Sequence, residues 1–230
     1  MKLLSMGYTN PKLKKSDAAG LGYMSAIQYL KPFTSSGLIN LCPMASAGCA
    51  AACLNTAGRG RTNSVQEARQ RRTEMYVRNS DSYKIQLTSE VERFVKKCKK
   101  NGQKPAIRLN GTSDIMWEKV FPALIETYRD VQWYDYTKIT RRMLKFCASL
   151  LPSNYHLTFS RSEDNDEDCV RVLRAGGNVA VVFKKELPRI WKRFKVHNGD
   201  TTDLRFLDEK GVIGLYAKGK AKTDESGFVV

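Results

Sequence analysis

The sequence has little histidine and no long apolar run. Two histidines occur in 230 residues, which disfavours metal sites built on several imidazole ligands. No window is apolar enough to cross a bilayer, and the first residues lack the apolar stretch of an export signal. We therefore expect a cytoplasmic protein with no membrane partner. Walker, nucleophile-elbow, Rossmann and HExxH motifs are absent as well, so the sequence does not indicate those classes.

Acidic residues are outnumbered by basic ones. The chain has 23 Asp and Glu against 39 Lys and Arg, a formal net charge of +16 at pH 7. Such a field attracts polyanions, so DNA, RNA or an anionic small molecule is the expected partner. A basic composition that only maintains solubility is the alternative, and composition does not decide between them. The oligomeric state is also left open.

The length and the 42% hydrophobic content predict one core rather than two. Residues 1–36 are punctuated by glycine and proline and are predicted to be an irregular wrapping segment with a short helix near Ala26–Leu30. Residues 37–222 form the predicted α/β domain, and residues 223–230 a C-terminal tail.

Beyond residue 105, strand and helix patterns alternate, as in the βα units of a parallel sheet. A strand candidate at Gly37–Leu41 precedes them and makes six units, a number that suits an open doubly wound sheet or a partial (β/α)6 barrel, which we favour. The later strand candidates are Ala106–Asn110, Val131–Thr137, Tyr155–Ser160, Val179–Phe183 and Val212–Ala217. The first helix candidate begins near Ser64, where Ser64 and Glu67 form a capping-box pattern, and the second carries an apolar stripe from Leu87 to Cys98. The other helix candidates are Ile115–Arg129, Arg141–Leu151, Glu163–Ala175 and Leu187–Arg193.

Polar residues alternate with apolar ones in two of these strands. Arg108 and Asn110 share one parity, and His156, Thr158 and Ser160 share another. Period-two alternation places each set on one face of the sheet. Because helices cover the apolar face, a polar lumen suited to a ligand is expected, unless that face is simply solvated.

Three of the six cysteines fall within twelve residues, at Cys42, Cys49 and Cys53, with small residues between them. Thiolates are the ligands that iron–sulfur clusters and zinc prefer. Zinc sites usually add a second close pair of ligands, which this segment, residues 42–53, does not have. The spacing C-x6-C-x3-C therefore favours a [4Fe–4S] cluster with one open iron, while zinc or three buried small residues remain alternatives. Cys98, Cys147 and Cys169 lie in helix-like contexts.

A cysteine loop after a first strand, followed by βα repeats, resembles the radical S-adenosylmethionine superfamily. That family spaces its cysteines C-x3-C-x2-C, more closely than here. The resemblance implies a partial barrel, a [4Fe–4S] cluster and S-adenosylmethionine as a ligand. It also implies that the loop after the second strand contacts the ligand.

A closer resemblance is to an uncharacterised bacteriophage family, gene product 88, over about residues 20–222. It implies a viral source, hence the host cytoplasm, and no settled activity. The matching motifs are Cys42-Pro43-Met44-Ala45-Ser46-Ala47-Gly48-Cys49 with Cys53-Leu54, Arg108 to Asp114, Asp135-Tyr136-Thr137-Lys138, and Gly214 to Gly219.

The ends of successive strands carry the candidate cofactor-binding residues. In parallel sheets such ends meet at one edge, where ligands bind, although the Ser113 and Asp114 positions also suit simple helix capping. The candidates are Asn110, Thr112, Ser113, Asp114, Lys138, Ser160 and Arg161.

Two basic groups are candidates for contacting nucleic-acid phosphates. Solvated helix faces explain the lysines equally well. The groups are Arg59, Arg61, Arg69 and Arg72, directly after the cysteines, and Lys96, Lys97, Lys99 and Lys100.

Downstream, His197, Asp200, Asp203 and Asp208 form an acidic segment that suits a turn better than a divalent ion.

The leading hypothesis is an iron–sulfur protein whose open iron faces a polar, basic lumen for a small ligand or nucleotide, with radical or reductive chemistry. Catalysis itself is left open. The alternative is a non-catalytic nucleic-acid-binding protein whose cysteine loop holds a structural cluster or zinc.

Overall fold

The computed structural model describes residues 1–6, 17 and 20–230. In these ranges, nine strands form one sheet in the order β1-β2-β3-β4-β5-β6-β9-β8-β7. All neighbours from β2 to β8 in this order are parallel, and the pairs β1–β2 and β7–β8 at the two edges are antiparallel. The α/β class predicted from the sequence is confirmed.

The elements have the following bounds in chain order. The strands are β1 (Leu4–Met6), β2 (Tyr23–Gln28), β3 (Lys104–Arg108), β4 (Gln132–Thr137), β5 (Tyr155–Ser160), β6 (Val179–Phe183), β7 (Ile190–Trp191), β8 (Phe194–Asn198) and β9 (Val212–Tyr216). The helices are α1 (Ala47–Ala51), α2 (Asn63–Arg78), α3 (Ser80–Lys100), α4 (Trp117–Val120), α5 (Pro122–Thr127), α6 (Thr140–Cys147) and α7 (Asp166–Arg174).

The main core lies between one face of the sheet and helices α3, α6 and α7. Successive parallel strands from β2 to β6 are neighbours in chain order, so right-handed crossovers place their helices on the same face. Leu87, Val91 and Phe94 of α3 pack in the same cluster as Ile107 and Trp133 of the sheet. Burial of this apolar stripe is what fixes the helix on the strands.

The opposite face carries a smaller cluster and a crossing segment. Strand β9 lies between β6 and β8, so the connection from β8 to β9 crosses the sheet in the opposite direction from the earlier connections. The same right-handed rule therefore puts this connection on the second face. Leu204 in that connection packs against Ala106 and Tyr134, which alternate with Ile107 and Trp133 along their strands. Residues 199–208 therefore fill part of the predicted lumen.

The prediction for the N-terminal residues was wrong where the structure describes them. The predicted helix near Ala26–Leu30 is the end of strand β2 and the residues after it, and β1 pairs with β2. Both faces of β2 are covered, so its sequence lacks alternation and looks like a short helix. Residues 7–16, 18 and 19 of the predicted wrapping segment lie outside the described residues.

Gly37–Leu41 is not a strand. The backbone N–H of Gly37 donates to the carbonyl of Thr34 at 3.0 Å, and that of Leu41 to the carbonyl of Phe33 at 3.2 Å, as in a folded loop. The first parallel strand is therefore β2, which begins 14 positions before the predicted strand. The cysteine segment still follows the first parallel strand.

Two predicted helices also differ. Ile115–Arg129 contains two short helices, because Pro122 at the start of α5 cannot continue α4. Leu187–Arg193 contains strand β7 and the turn into β8, in which Lys192 and Arg193 have φ of 48° and 73°. A two-residue hairpin turn needs such angles and is usually marked by Asn-Gly, whereas this turn has Lys192 and Arg193.

Helix α2 begins one residue before the predicted start. Its N-cap is Thr62, whose side chain makes no capping hydrogen bond, so the Ser64 and Glu67 pattern is not a capping box. No helix among the described residues combines the length and apolar composition needed to span a membrane.

Candidate metal centre

The cysteine segment is held in shape by hydrogen bonds within it. Ser46 caps α1, because its Oγ accepts from the backbone N–H of Cys49 at 3.2 Å. The Sγ of Cys53 accepts from the backbone N–H of Asn55 at 3.5 Å. Small residues between the thiols allow this tight path, in which a helix of five residues carries Cys49 and ends just before Cys53.

All three thiols line one cavity of about 320 Å³, here called the cysteine cavity. The pKa of the Cys42 thiol is raised to about 12, mainly by burial, and the neighbouring Cys53 and Cys49 act in the same direction. Burial also raises the pKa values of Cys49 and Cys53. The sulfurs are thus close enough to disfavour one another's ionisation, and a bound metal centre would supply the compensating positive charge.

None of the six cysteines forms a disulfide. Cys98, Cys147 and Cys169 do not line the cysteine cavity, and neither histidine does. Within the described part of the chain, no three or more His, Cys, Asp or Glu side chains surround a point closely enough to hold a single metal ion. The described residues therefore contain no ready-made set of protein ligands for a mononuclear zinc site.

The loop after β3 supports the cysteine segment. The backbone N–H of Asp114 donates to the carbonyl of Leu41 at 2.8 Å, and the Sγ of Cys42 donates to the carbonyl of Thr112 at 3.6 Å. The Oγ1 of Thr112 in turn donates to the carbonyl of Leu30 at 2.5 Å. The loop predicted to bind a cofactor thus also positions the first cysteine.

Asn110 organises that loop internally. Its Oδ1 accepts from the Oγ of Ser113 at 2.8 Å and from the indole N–H of Trp117 at 3.2 Å. Its Nδ2 donates to the Oδ2 of Asp135 at 3.0 Å and to the carbonyl of Ile115 at 2.9 Å. The Asn110 amide is therefore occupied in shaping the loop that lines the cavity.

A buried ion network lies behind this loop. Arg142 pairs with Glu118 at 2.7 Å and with Asp114 at 3.4 Å. The Nη2 of Arg142 also donates a hydrogen bond to the hydroxyl oxygen of Tyr155 at 3.0 Å. Burial raises the pKa of Asp135 to about 6, although Arg142 acts in the opposite direction. The network fixes the loop from the helix-covered side of the sheet.

Lys138, at the end of β4, places a positive charge beside Cys49. Its Nζ donates to the Oγ of Ser160 at 2.8 Å and to the carbonyl of Arg161 at 3.1 Å. Burial is the largest influence on the pKa of Cys49 and raises it, while Lys138 lowers it. Lys138 therefore offers the cavity a fixed cation next to the second thiol.

Glu163 was missed as a site residue, because the sequence shows it only as the start of a predicted helix. Its carboxylate accepts from the Oγ of Ser46 at 2.7 Å and from the backbone N–H of Gly48 at 2.6 Å. A Cβ at position 48 would lie 2.8 Å from this carboxylate and 2.1 Å from the Oγ of Ser226. Gly48 is thus needed for the close approach of Glu163 to α1.

The predicted C-terminal tail forms part of the site. The backbone N–H of Val230 donates to the carbonyl of Val182 at 2.9 Å, and the Nη1 of Arg161 donates to the carbonyl of Phe228 at 2.9 Å. Phe228 lines the cysteine cavity, and the Lys138 ammonium lies 5.4 Å from its ring centroid. Arg161 itself holds this segment and does not line the cavity.

The structure brings most of the predicted cofactor-binding residues together. Asn110, Thr112, Ser113, Asp114, Lys138 and Ser160 all line the cysteine cavity, as does Arg108 of the predicted polar face. His156 and Thr158 of that face do not line it. Further lining residues that the site prediction did not include are Met44, Ala52, Tyr136, Leu215 and Phe228.

The predicted nucleic-acid residues divide into two separate regions. Arg59, Arg69 and Arg72 line a second cavity of about 1050 Å³, here called the basic groove, and Arg61 does not. Lys96, Lys97, Lys99 and Lys100 lie in the last turns of α3, which leads into the amino end of β3. The cysteine cavity lies at the carboxyl ends of the strands, so the lysines are at the opposite edge of the sheet.

The acidic segment after β8 pairs with cations. Asp203 lies 3.5 Å from Arg108, Asp208 lies 3.2 Å from Arg205, and Asp200 forms an ion pair with Lys218. These carboxylates therefore neutralise buried or groove-lining basic groups, and they do not gather around a point that a divalent ion would occupy.

The family model described as Gene product 88 matches residues 2–230. The chain belongs to this family. The bacteriophage resemblance drawn from the cysteine and Asn-Gly-Thr-Ser-Asp motifs is thereby confirmed, and the matched span is wider than those motifs indicated. No curated protein and no solved structure matches the chain. The resemblance to the radical S-adenosylmethionine superfamily has no support from these comparisons.

Proposed function

We propose that the protein binds a [4Fe–4S] cluster through Cys42, Cys49 and Cys53 and leaves one iron accessible to a small ligand in the cysteine cavity. The observation that carries the proposal is that the three partly buried cysteines line one cavity. Thiolates are the ligands that such a cluster prefers, and the positive charge of a bound metal centre would offset the burial that raises the pKa values of these thiols.

The position of the cavity in the fold supports ligand binding. The cysteine segment follows β2, the first parallel strand, and the cavity is closed by loops after β3, β4 and β5. Ligands of parallel α/β proteins bind at this edge of the sheet. The sequential order of strands β2 to β6 also agrees with the partial (β/α)6 barrel, which belongs to the proposal.

The donor set fits the cluster. Thiolates are its usual ligands, and Lys138 beside Cys49 adds a cation that offsets part of the negative charge of a thiolate-bound centre. When bound, the cluster supplies electron transfer and an open iron position for a ligand. Radical or reductive chemistry of the kind carried out with S-adenosylmethionine is the proposed use.

The chain's own residues position the ligand. Lys138 presents positive charge to the cavity. Arg108, which pairs with Asp203, also lines it, and its guanidinium lies 4.5 Å from the ring centroid of Tyr136. Phe228 and Leu215 contribute apolar walls that exclude water. A ligand with an acidic group and a flat or apolar part suits these walls.

The experiment is metal analysis of protein purified without air. We expect about four irons and matching sulfide per chain, with broad visible absorption. Each of Cys42→Ala, Cys49→Ala and Cys53→Ala should lose the iron, whereas Cys147→Ala, a half-buried cysteine away from the cavity, should retain it. Colourless protein containing about one zinc would instead support the structural-module alternative, and metal-free protein would contradict both.

A second measurement addresses the ligand of the open iron. S-adenosylmethionine added to the reduced protein should change the cluster's electron paramagnetic resonance spectrum and be cleaved. An unchanged spectrum with intact iron would remove S-adenosylmethionine as the ligand while leaving the cluster in place.

A further inference from the structure

The basic groove carries positive charge that the protein only partly neutralises. Its cationic lining residues are Arg59, Arg69, Arg72, Arg108 and Lys218, and its one acidic lining residue is Asp200. Arg108 pairs with Asp203 and Lys218 with Asp200. Among the described residues, the other three arginines form no ion pair with a carboxylate.

The nearest acid that acts on Arg72 is already in use. Glu90 accepts from the backbone N–H groups of Leu3 and Leu4 at 2.8 to 3.0 Å, and Arg72 donates its Nε to the carbonyl of Lys2 at 2.7 Å. Arg72 also lines the groove. This arrangement orients the guanidinium without neutralising it.

Two further features point to an anion. Arg69 is 5% exposed, and its Nε has no hydrogen-bond partner among the described residues. Helix α2 begins at the groove, where Ser64 and Val65 line it, and no capping side chain or acidic residue occupies its first turn. The first N–H groups of a 16-residue helix are therefore available to an acceptor.

The groove is continuous with the cysteine cavity. Six residues line both, namely Leu54, Arg108, Gly111, Asp200, Tyr216 and Lys218. Tyr216 is 39% exposed and presents an aromatic ring at the passage between the two. A planar ring can stack there while an attached anionic group reaches the arginines.

We propose that the groove binds the phosphate of a nucleotide, with the base directed past Tyr216 toward the cysteine cavity. The phosphate interacts with Arg59, with Arg72 and with the start of α2. Arginine matches phosphate oxygens in a planar, charge-assisted geometry, and Gly58, where an added Cβ would meet no atom within 4 Å, leaves open space beside the backbone. The nucleotide is either free or part of a single strand.

The direction of the base toward the cysteines rests on the proposed function, whereas phosphate binding in the groove does not. The probes are adenosine monophosphate, adenosine, and a short single-stranded oligonucleotide, each titrated into the full chain. Arg59→Ala is the test variant, because Arg59 is exposed and its loss should not disturb folding. Its neighbour Arg61, outside the groove lining, provides the matched control Arg61→Ala, and Lys99→Ala controls for charge at the opposite edge of the sheet.

Arg59→Ala should weaken binding of adenosine monophosphate at least about tenfold, while Arg61→Ala and Lys99→Ala leave it unchanged. Adenosine should bind far more weakly than its monophosphate. The same variant pattern seen only with the oligonucleotide would identify the single strand as the source of the phosphate. The proposal is overturned when neither adenosine monophosphate nor the oligonucleotide binds, when the control variants weaken binding as much as Arg59→Ala, or when adenosine binds as well as the monophosphate.

Cys49→Ala separates the two proposals. Phosphate binding that persists in this variant while iron is lost supports both. A wild-type chain without iron that still shows the Arg59 dependence would end the cluster proposal and leave the groove proposal standing.

Discussion

The carboxylate of Glu163 accepts a hydrogen bond of 2.6 Å from the backbone N–H of Gly48, 115 positions earlier in the chain. This contact joins the loop after β5 to the helix that carries Cys49. It lies in a space where a Cβ on residue 48 would not fit. The position of the second thiol therefore depends on a residue far from the cysteine motif.

Glu163→Gln should lower the free energy of unfolding by about 1–3 kcal/mol, because the amide can replace only one of the two acceptor oxygens. It should also increase the rate at which Cys49 reacts with a thiol reagent. Denaturant unfolding and thiol labelling measure the two effects. Glu167→Gln, on the exposed side of α7, is the control and should change neither, and equal labelling rates in the two variants would contradict the proposed positioning role.

Asn110→Ala should destabilise the protein by about 2–4 kcal/mol, because it leaves several buried partners of the Asn110 amide unsatisfied. Ser113→Ala removes only one hydrogen bond of that set and should cost about 1 kcal/mol. Chemical unfolding of both variants measures the difference. Equal losses would show that the amide does not organise the loop.

Local patterns were sufficient to predict the central parallel strands and the meeting of their carboxyl ends at one cavity. Strands β5 and β6 have the predicted bounds, because each is a short run of strand-forming residues between clear helix signals. Lys138 and Ser160 were predicted to meet at the cavity since both follow parallel strands, and their hydrogen bond of 2.8 Å agrees. The rule that the carboxyl ends of parallel strands share one edge was thus enough to predict this contact between residues far apart in the sequence.

Other features depend on contacts that no local pattern contains. The turn at Lys192 and Arg193 has positive φ angles without glycine or asparagine, so nothing in the sequence marks it. Glu163 acts through Gly48, and Phe228 enters the cavity from the far end of the chain. Each of these is fixed by tertiary packing, which overrides local propensity.

Stability should depend on the protonation of His156. Its pKa is lowered from 6.5 to about 4, mainly by burial, and the nearby Lys210 and Arg205 act in the same direction. The unfolded chain therefore binds more protons than the folded one between these values, and folding loses stability as pH falls from 6.5 to 4. The full effect is on the order of 3 kcal/mol.

Asp135 and Asp208 act in the opposite direction, because burial raises the pKa of each to about 6. Their contribution becomes more favourable as pH falls, so the wild-type profile alone does not isolate the histidine. The difference in unfolding free energy between wild type and His156→Phe, measured at pH 7 and at pH 4, does. Relative to His156→Phe, the wild type should be less stable at pH 4 than at pH 7 by on the order of 3 kcal/mol. A difference that stays constant between the two pH values would contradict the assignment.

Removal of residues 228–230 should open the cysteine cavity without unfolding the sheet. The deletion removes the Phe228 ring beside Lys138 and the backbone hydrogen bonds that Val230 makes with Val182 and Lys184. Phe228 lies outside the main core cluster, so circular dichroism and the cooperativity of unfolding should change little. The thiols of Cys42, Cys49 and Cys53 should react faster with a thiol reagent, whereas Cys98, on the buried face of α3, should remain protected. Unchanged reactivity of the three thiols would show that the C-terminal residues do not close the cavity.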